Sequence, residues 1–185
     1  MKKLILSAAM MAGVGALASQ AAMAADGTIT LNGTISAVTC SVHGGTPTGG
    51  SNFTVTLPTV ASTAFPSVGS VAGAMPYTIT VGAASEGGCT DGTKVRVLYE
   101  PTSPNIDAAT GNLKVAGGAT GVQLQLLNGG DRSVIKLNAA SPASTQVTVA
   151  SNTAALPFYA QYVSTAASVT AGQANSSVQY SIQYN

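Results

Sequence analysis

Charge is scarce in this sequence. Of 185 residues, seven are Lys or Arg and six are Asp or Glu, for a formal net charge of +1. Nucleic-acid binding needs clustered cations to neutralise phosphates, and no such cluster exists here. With 45% hydrophobic residues, the chain is also too apolar for a charged disordered tail. There is one His, no Trp and two Cys, which leaves little from which to assemble a proton-transfer or metal centre. An enzyme would have to use His43 with a hydroxyl such as Ser41 and one of the few carboxylates. The position of His43 beside a Gly-rich stretch instead predicts an exposed loop residue. A zinc site would need Cys40, Cys89 and the distant His43 without any CxxC spacing, so neither metal nor cofactor is expected. In place of charge stand 22 Thr, 19 Ser and 21 Gly. That composition suits a β-rich exported protein with hydroxyl-covered outer faces.

Residues 1–24 carry the parts of a secretory signal. Met1, Lys2 and Lys3 form a basic start, an apolar run extends from Leu4 to about Ala18, and Ala22-Met23-Ala24 supplies small residues at a cleavage site. The run is shorter than the ~20 residues that span a bilayer, and no later stretch reaches that length. Cleavage before Ala25 is therefore expected. Without Lys2 and Lys3, five basic residues face six acidic ones, a net charge near −1. Cys40 and Cys89, an even pair in an exported chain, are most simply one disulfide.

After residue 24 the hydrophobic pattern alternates with period two, and no stretch keeps helical spacing for three turns. Strands are predicted at 28–42, 53–57, 77–81, 94–99, 122–127, 146–149, 156–163 and 177–184. Turn residues bound them, among them Asp91-Gly92 and Asn128-Gly129-Gly130, with Asp91 and Asp131 as turn formers. Seven or more short strands with Gly-rich turns predict a one-domain β-sandwich. Residues 44–50 read as a flexible loop.

The strictest alternation lies at the two ends. Val178, Tyr180, Ile182 and Tyr184 share one face of the last segment, and Ile29, Leu31, Gly33 and Ile35 share one face of the first. A continuous strand over 28–42 would be far longer than the usual 5 or 6 residues. Part of it is expected to pair elsewhere.

Several of these features together resemble subunits of chaperone-usher fimbriae, in particular type 1-like major pilins. They are the signal, the run Asp26-Gly27-Thr28-Ile29-Thr30-Leu31-Asn32-Gly33-Thr34-Ile35 leading to Cys40, Cys89, Gly121-Val122-Gln123-Leu124 and Leu156-Pro157-Phe158. The ending Val178-Gln179-Tyr180-Ser181-Ile182-Gln183-Tyr184-Asn185 completes the set. The likeness covers essentially the whole chain after the signal. It implies an all-β fold, an incomplete immunoglobulin-like β-sandwich lacking its last strand, completed by a donor strand from another subunit. The implied function is a structural subunit of a surface fimbria that supports adhesion and polymerises by donor-strand exchange. By the same resemblance, residues 25–35 form the donor arm, with Ile29, Leu31 and Ile35 as plugs and Gly33 as its small residue. Residues 36–185 form the pilin domain, and Val178, Tyr180, Ile182 and Tyr184 form the acceptor groove and chaperone contact. The implied partners are neighbouring subunits, a periplasmic chaperone, an outer-membrane usher and a tip adhesin, with export through the periplasm to the cell surface.

Strand addition satisfies a row of edge N–H and C=O groups while alternate side chains fill pockets. An arm of this size is worth on the order of 10 kcal/mol before ordering costs. Donor and acceptor surfaces differ, so the contact does not close and generates a filament. Two other readings share these features: a minor adaptor subunit of the same fibre, and a self-contained secreted β-sandwich that binds a sugar or a host protein.

Overall fold

The computed structural model describes residues 30, 38, 40–84 and 86–185. The chain divides into two units, Met1–Ile35 and Ser36–Asn185, and the strands described belong to the second. The expected signal, the donor positions Ile29, Leu31, Gly33 and Ile35, and most of the expected strand 28–42 lie outside the described residues.

Among the described residues eight strands succeed one another: β1 (Val42–Gly44), β2 (Val71–Gly82), β3 (Lys94–Tyr99), β4 (Leu113–Lys114), β5 (Val122–Asn128), β6 (Val147–Thr148), β7 (Thr153–Ser164) and β8 (Tyr180–Tyr184). The only helical element among the described residues is a 3₁₀ turn, Ser62–Ala64. The strands form two antiparallel sheets, a five-stranded one in the order β1-β2-β7-β5-β4 and a three-stranded one in the order β6-β3-β8.

The period-two pattern sets the core. In β3, Val95, Val97 and Tyr99 are buried while Lys94, Arg96 and Leu98 are not. In β7, Ala154, Leu156, Phe158 and Ala160 turn inward, as side chains on alternate positions of one face must. β5 is buried on both faces. Its inward Leu124 and Leu126 join the core. On the other face, the Gln123 side-chain oxygen accepts from Thr110 Oγ1 at 2.7 Å and Asn112 Nδ2 at 3.3 Å. Those bonds satisfy the buried amide oxygen. The disulfide Cys40–Cys89 is formed, closing a loop of sequence separation 49.

The predicted strand 94–99 coincides with β3, and four other predictions find β2, β5, β6 and β7 with shifted ends. β2 starts six residues early, at Val71, because a bulge between Ala72 and Met75 lets the chain continue past Gly73. Gly73 has φ 67°, and a Cβ there would stand 2.9 Å from the Tyr162 ring, so only glycine suits this bulge. β4 has no counterpart among the predicted strands; two residues are too few to show a period. The pattern at 28–42 does not continue unbroken, since Cys40 and Ser41 lie outside any strand and β1 starts at Val42. Residues 44–50 are no slack loop. Gly44 N donates to Gly50 O at 3.0 Å and Gly49 N to Thr46 O at 3.0 Å. Asp131 caps its own turn through Ser133 N at 3.0 Å. Asp91 instead holds a distant turn, accepting from Asn152 N at 2.7 Å.

Candidate functional site

Segment 53–57 has the sequence of a strand but no ladder. Phe53, Val55 and Leu57 are half-buried and Thr54 and Thr56 exposed, so the chain is extended with an apolar face. Among the described residues, its backbone groups make no hydrogen bond. The predicted strand fails as a strand because, among the described residues, none pairs with its backbone. Opposite runs the C-terminal segment. β8 pairs with β3 from Tyr180 to Tyr184, and its other edge is unpaired among the described residues. The predicted strand 177–184 therefore shortens to Tyr180–Tyr184, although Gln179 O still accepts from Glu100 N at 3.0 Å.

Between these two free edges lies a cavity of about 850 Å³. Val178, Tyr180 and Ile182 form one wall and Phe53, Val55 and Leu57 the other. The floor comes from the five-stranded sheet, with Ile79, Tyr77, Leu124, Leu126 and Ala160. A second cavity of about 610 Å³ shares Val55, Leu57 and Leu124 and continues toward Val60, Phe65 and Val169. The two make one long apolar trough. Of the sequence-predicted groove residues, Val178, Tyr180 and Ile182 stand together along it. Tyr184 lies beyond the cavity, half-buried near Glu86, where burial and the carboxylate charge raise its phenol pKa. The opposite wall is absent from the sequence-based expectations; the alternation at 53–57 is visible in the sequence, but the absence of a partner strand among the described residues is not.

An aromatic cluster crosses the floor. Tyr77 stacks on Phe158 with centroids 5.3 Å apart, and Tyr99 meets Phe158 edge-on at 6.4 Å. The Tyr77 and Tyr99 hydroxyls are 3.4 Å apart. Burial pushes the Tyr77 phenol up to about 12 and Tyr99 well above its usual value, so both stay neutral.

His43 departs from its expected exposure. It sits half-buried in β1, with Nδ1 2.7 Å from Gly49 O and Nε2 2.8 Å from Ser41 Oγ. Ser41 Oγ also donates to Glu86 Oε2 at 2.6 Å, and Ser41 N to Glu86 Oε1 at 2.7 Å. Ser, His and a carboxylate thus meet, but the carboxylate holds the hydroxyl rather than orienting the imidazole. That is the wrong order for activating a nucleophile. What the arrangement does is clamp the start of β1 to the loop before Cys89.

The hydrogen bond from the Ser41 hydroxyl, followed by that from its amide, holds the Glu86 carboxyl below its usual 4.5. A depressed folded pKa stabilises the fold above the unfolded value, and that stability is lost as pH falls through the folded one. Glu86→Gln is therefore expected to destabilise at neutral pH, with the gap to wild type narrowing below pH ~4.5. Unfolding midpoints measured from neutral to acid pH check this; a gap that stays constant would show that Glu86 acts without its charge.

Two sheets of antiparallel strands with an apolar trough between two edges that are unpaired among the described residues define an incomplete immunoglobulin-like sandwich. Residues 29–185 match the family described as fimbrial protein. The F17 fimbrial protein of Escherichia coli is 40% identical over 175 residues, covering 92% of this chain and 94% of the relative. The major fimbrial subunit SMF-1 of Stenotrophomonas maltophilia is 42% identical over 179 residues, covering 92% and 99%. A chain from the structure of a chaperone-usher pilus has the same fold, with TM-score 0.57 at 19% identity over 87% of this chain and 96% of that one. The chain belongs to the fimbrial protein family. It is a structural subunit of a surface fimbria.

Proposed function

We propose that this subunit polymerises by donor-strand exchange. The arm at residues 25–35 of one subunit enters the trough of the next, with Ile29, Leu31 and Ile35 facing the floor and Gly33 where the backbone comes closest. The observation that carries this reading is the pair of edges, unpaired among the described residues, that face each other across an apolar trough. An added strand between them, at about 4.8 Å from each, would satisfy both rows of backbone groups at once. Seven residues from Ile29 to Ile35 extend over roughly 23 Å, a length suited to the wall that runs from Ser176 to Ile182.

Before assembly, a periplasmic chaperone covers the same trough against Val178, Tyr180 and Ile182 and reaches Tyr184 beyond it, and an outer-membrane usher receives the complex. The signal at residues 1–24 starts that route. The relative from Stenotrophomonas, named a major fimbrial subunit, supports a place in the shaft, with a tip adhesin at the fibre end and adhesion as the purpose of the whole.

Deleting residues 25–35 is expected to give a subunit that enters no fibre as donor yet still takes up a synthetic peptide of that sequence. Fibre counts by electron microscopy and peptide binding read the two halves separately. Normal fibres from the deleted chain would overturn the reading. A monomer that keeps its own arm in its own trough and never exchanges it would favour the self-contained module.

A further inference from the structure

The two walls of the trough touch each other at one place. The Tyr180 hydroxyl on β8 donates to the backbone carbonyl of Ser51 at 2.6 Å, the one hydrogen bond among the described residues that joins the walls. Beside it the Phe53 ring meets Tyr180 edge-on, with centroids 6.3 Å apart and planes at 72°. Edge-to-face contacts of this kind add to simple burial. Phe53 is itself held firmly. Its ring lies flat on Gly44, where a Cβ would stand 1.8 Å from Cδ1, and its centroid is 5.9 Å from that of Tyr77, which stacks on Phe158.

We propose that Tyr180 is a latch across the trough and that its release governs how fast a donor strand is taken up. The inference rests on the donor-strand reading and adds the residue that controls entry. The phenol reaches from the backbone of one wall to the backbone of the other, so it spans the width that an added strand must occupy. An incoming strand has to separate Tyr180 from Ser51 and from the Phe53 edge before both walls can pair with it. The latch thus stabilises the unfilled trough and has no counterpart once the strand is seated.

The test uses the full mature chain and a fluorescent peptide with the sequence of residues 25–35, followed by anisotropy. Tyr180→Phe keeps the ring and removes only the hydroxyl. Association is expected to rise about fivefold, the effect of one net hydrogen bond, with dissociation unchanged. Phe53→Leu, which removes the edge-to-face contact, is expected to speed association as well and supplies a second reading should Tyr180→Phe fold poorly. Equal association rates in wild type and variants overturn the latch alone. Faster dissociation with unchanged association also overturns it, since Tyr180 would then cover the seated strand. No uptake by any form, wild type included, overturns the donor-strand reading and the latch with it.

Discussion

Removing the Cys40–Cys89 bond is expected to lower the stability of the mature subunit by about 4 kcal/mol. The sequence separation of 49 sets the size of the effect, because an open loop of that length restores conformational freedom to the unfolded chain. Packing adds to it. Cys89 is fully buried, and its Sγ lies against Gly82, where a Cβ would stand 2.6 Å away. The bond also ties the residues entering β1, in the large sheet, to the loop that leads into β3, in the small one. Unfolding of the Cys40→Ala/Cys89→Ala variant by denaturant, compared with the oxidised wild type, measures the loss. It should appear as a drop of about 10 °C in thermal midpoint. A loss under about 1 kcal/mol would mean that the unfolded chain is already held compact by other contacts.

A charge in the trough is the second large effect. Val178 lines the wall just before β8 and is half-buried. In Val178→Asp the new carboxylate keeps its water through the open side of the trough, so the fold is expected to survive. A donor strand seated over it would strip that water without offering a partner. Burying an unpaired polar group costs at least about 2 kcal/mol, and a charge more. Peptide affinity should fall at least about thirtyfold and fibres should shorten or vanish. Binding of the peptide at wild-type strength, with the variant shown to be folded, would remove Val178 from the wall.

The β-rich class is readable from the sequence because alternation survives wherever one face of a strand is buried, as in β3, where Val95, Val97 and Tyr99 face the core. Fimbrial membership is readable from the order of the signal, the alternating arm, the two Cys and the ending in Tyr184-Asn185. The shared face of Val178, Tyr180 and Ile182 is legible for the same periodic reason. The opposite wall is not, because Phe53, Val55 and Leu57 alternate as a paired strand would. Alternation reports which face is apolar and says nothing of whether the backbone has a neighbour. The sequence misplaces His43 because its ring partners, Ser41 and Gly49, are brought to it by the fold of the turn and by the pairing of β1 with β2, which sets His43 opposite Thr80. The tightness of the turn at 44–50 depends on the Phe53 ring lying on Gly44, a contact between segments that no local pattern encodes.

By itself the sequence determined that this protein is an exported, disulfide-bonded β-sandwich poor in charge, with two terminal segments suited to strand pairing. Local alternation, residue counts and a start with the pattern of a secretory signal suffice for that, since each depends only on neighbours along the chain. The tertiary structure decided the rest: that the outer edge of β8 and the extended segment 53–57 face each other unpaired among the described residues, that the trough between them runs past Tyr77 and Ala160, and that Tyr180 reaches Ser51 across it. Such facts depend on which distant segments come together, and pairing over 129 residues leaves no trace in a two-residue period.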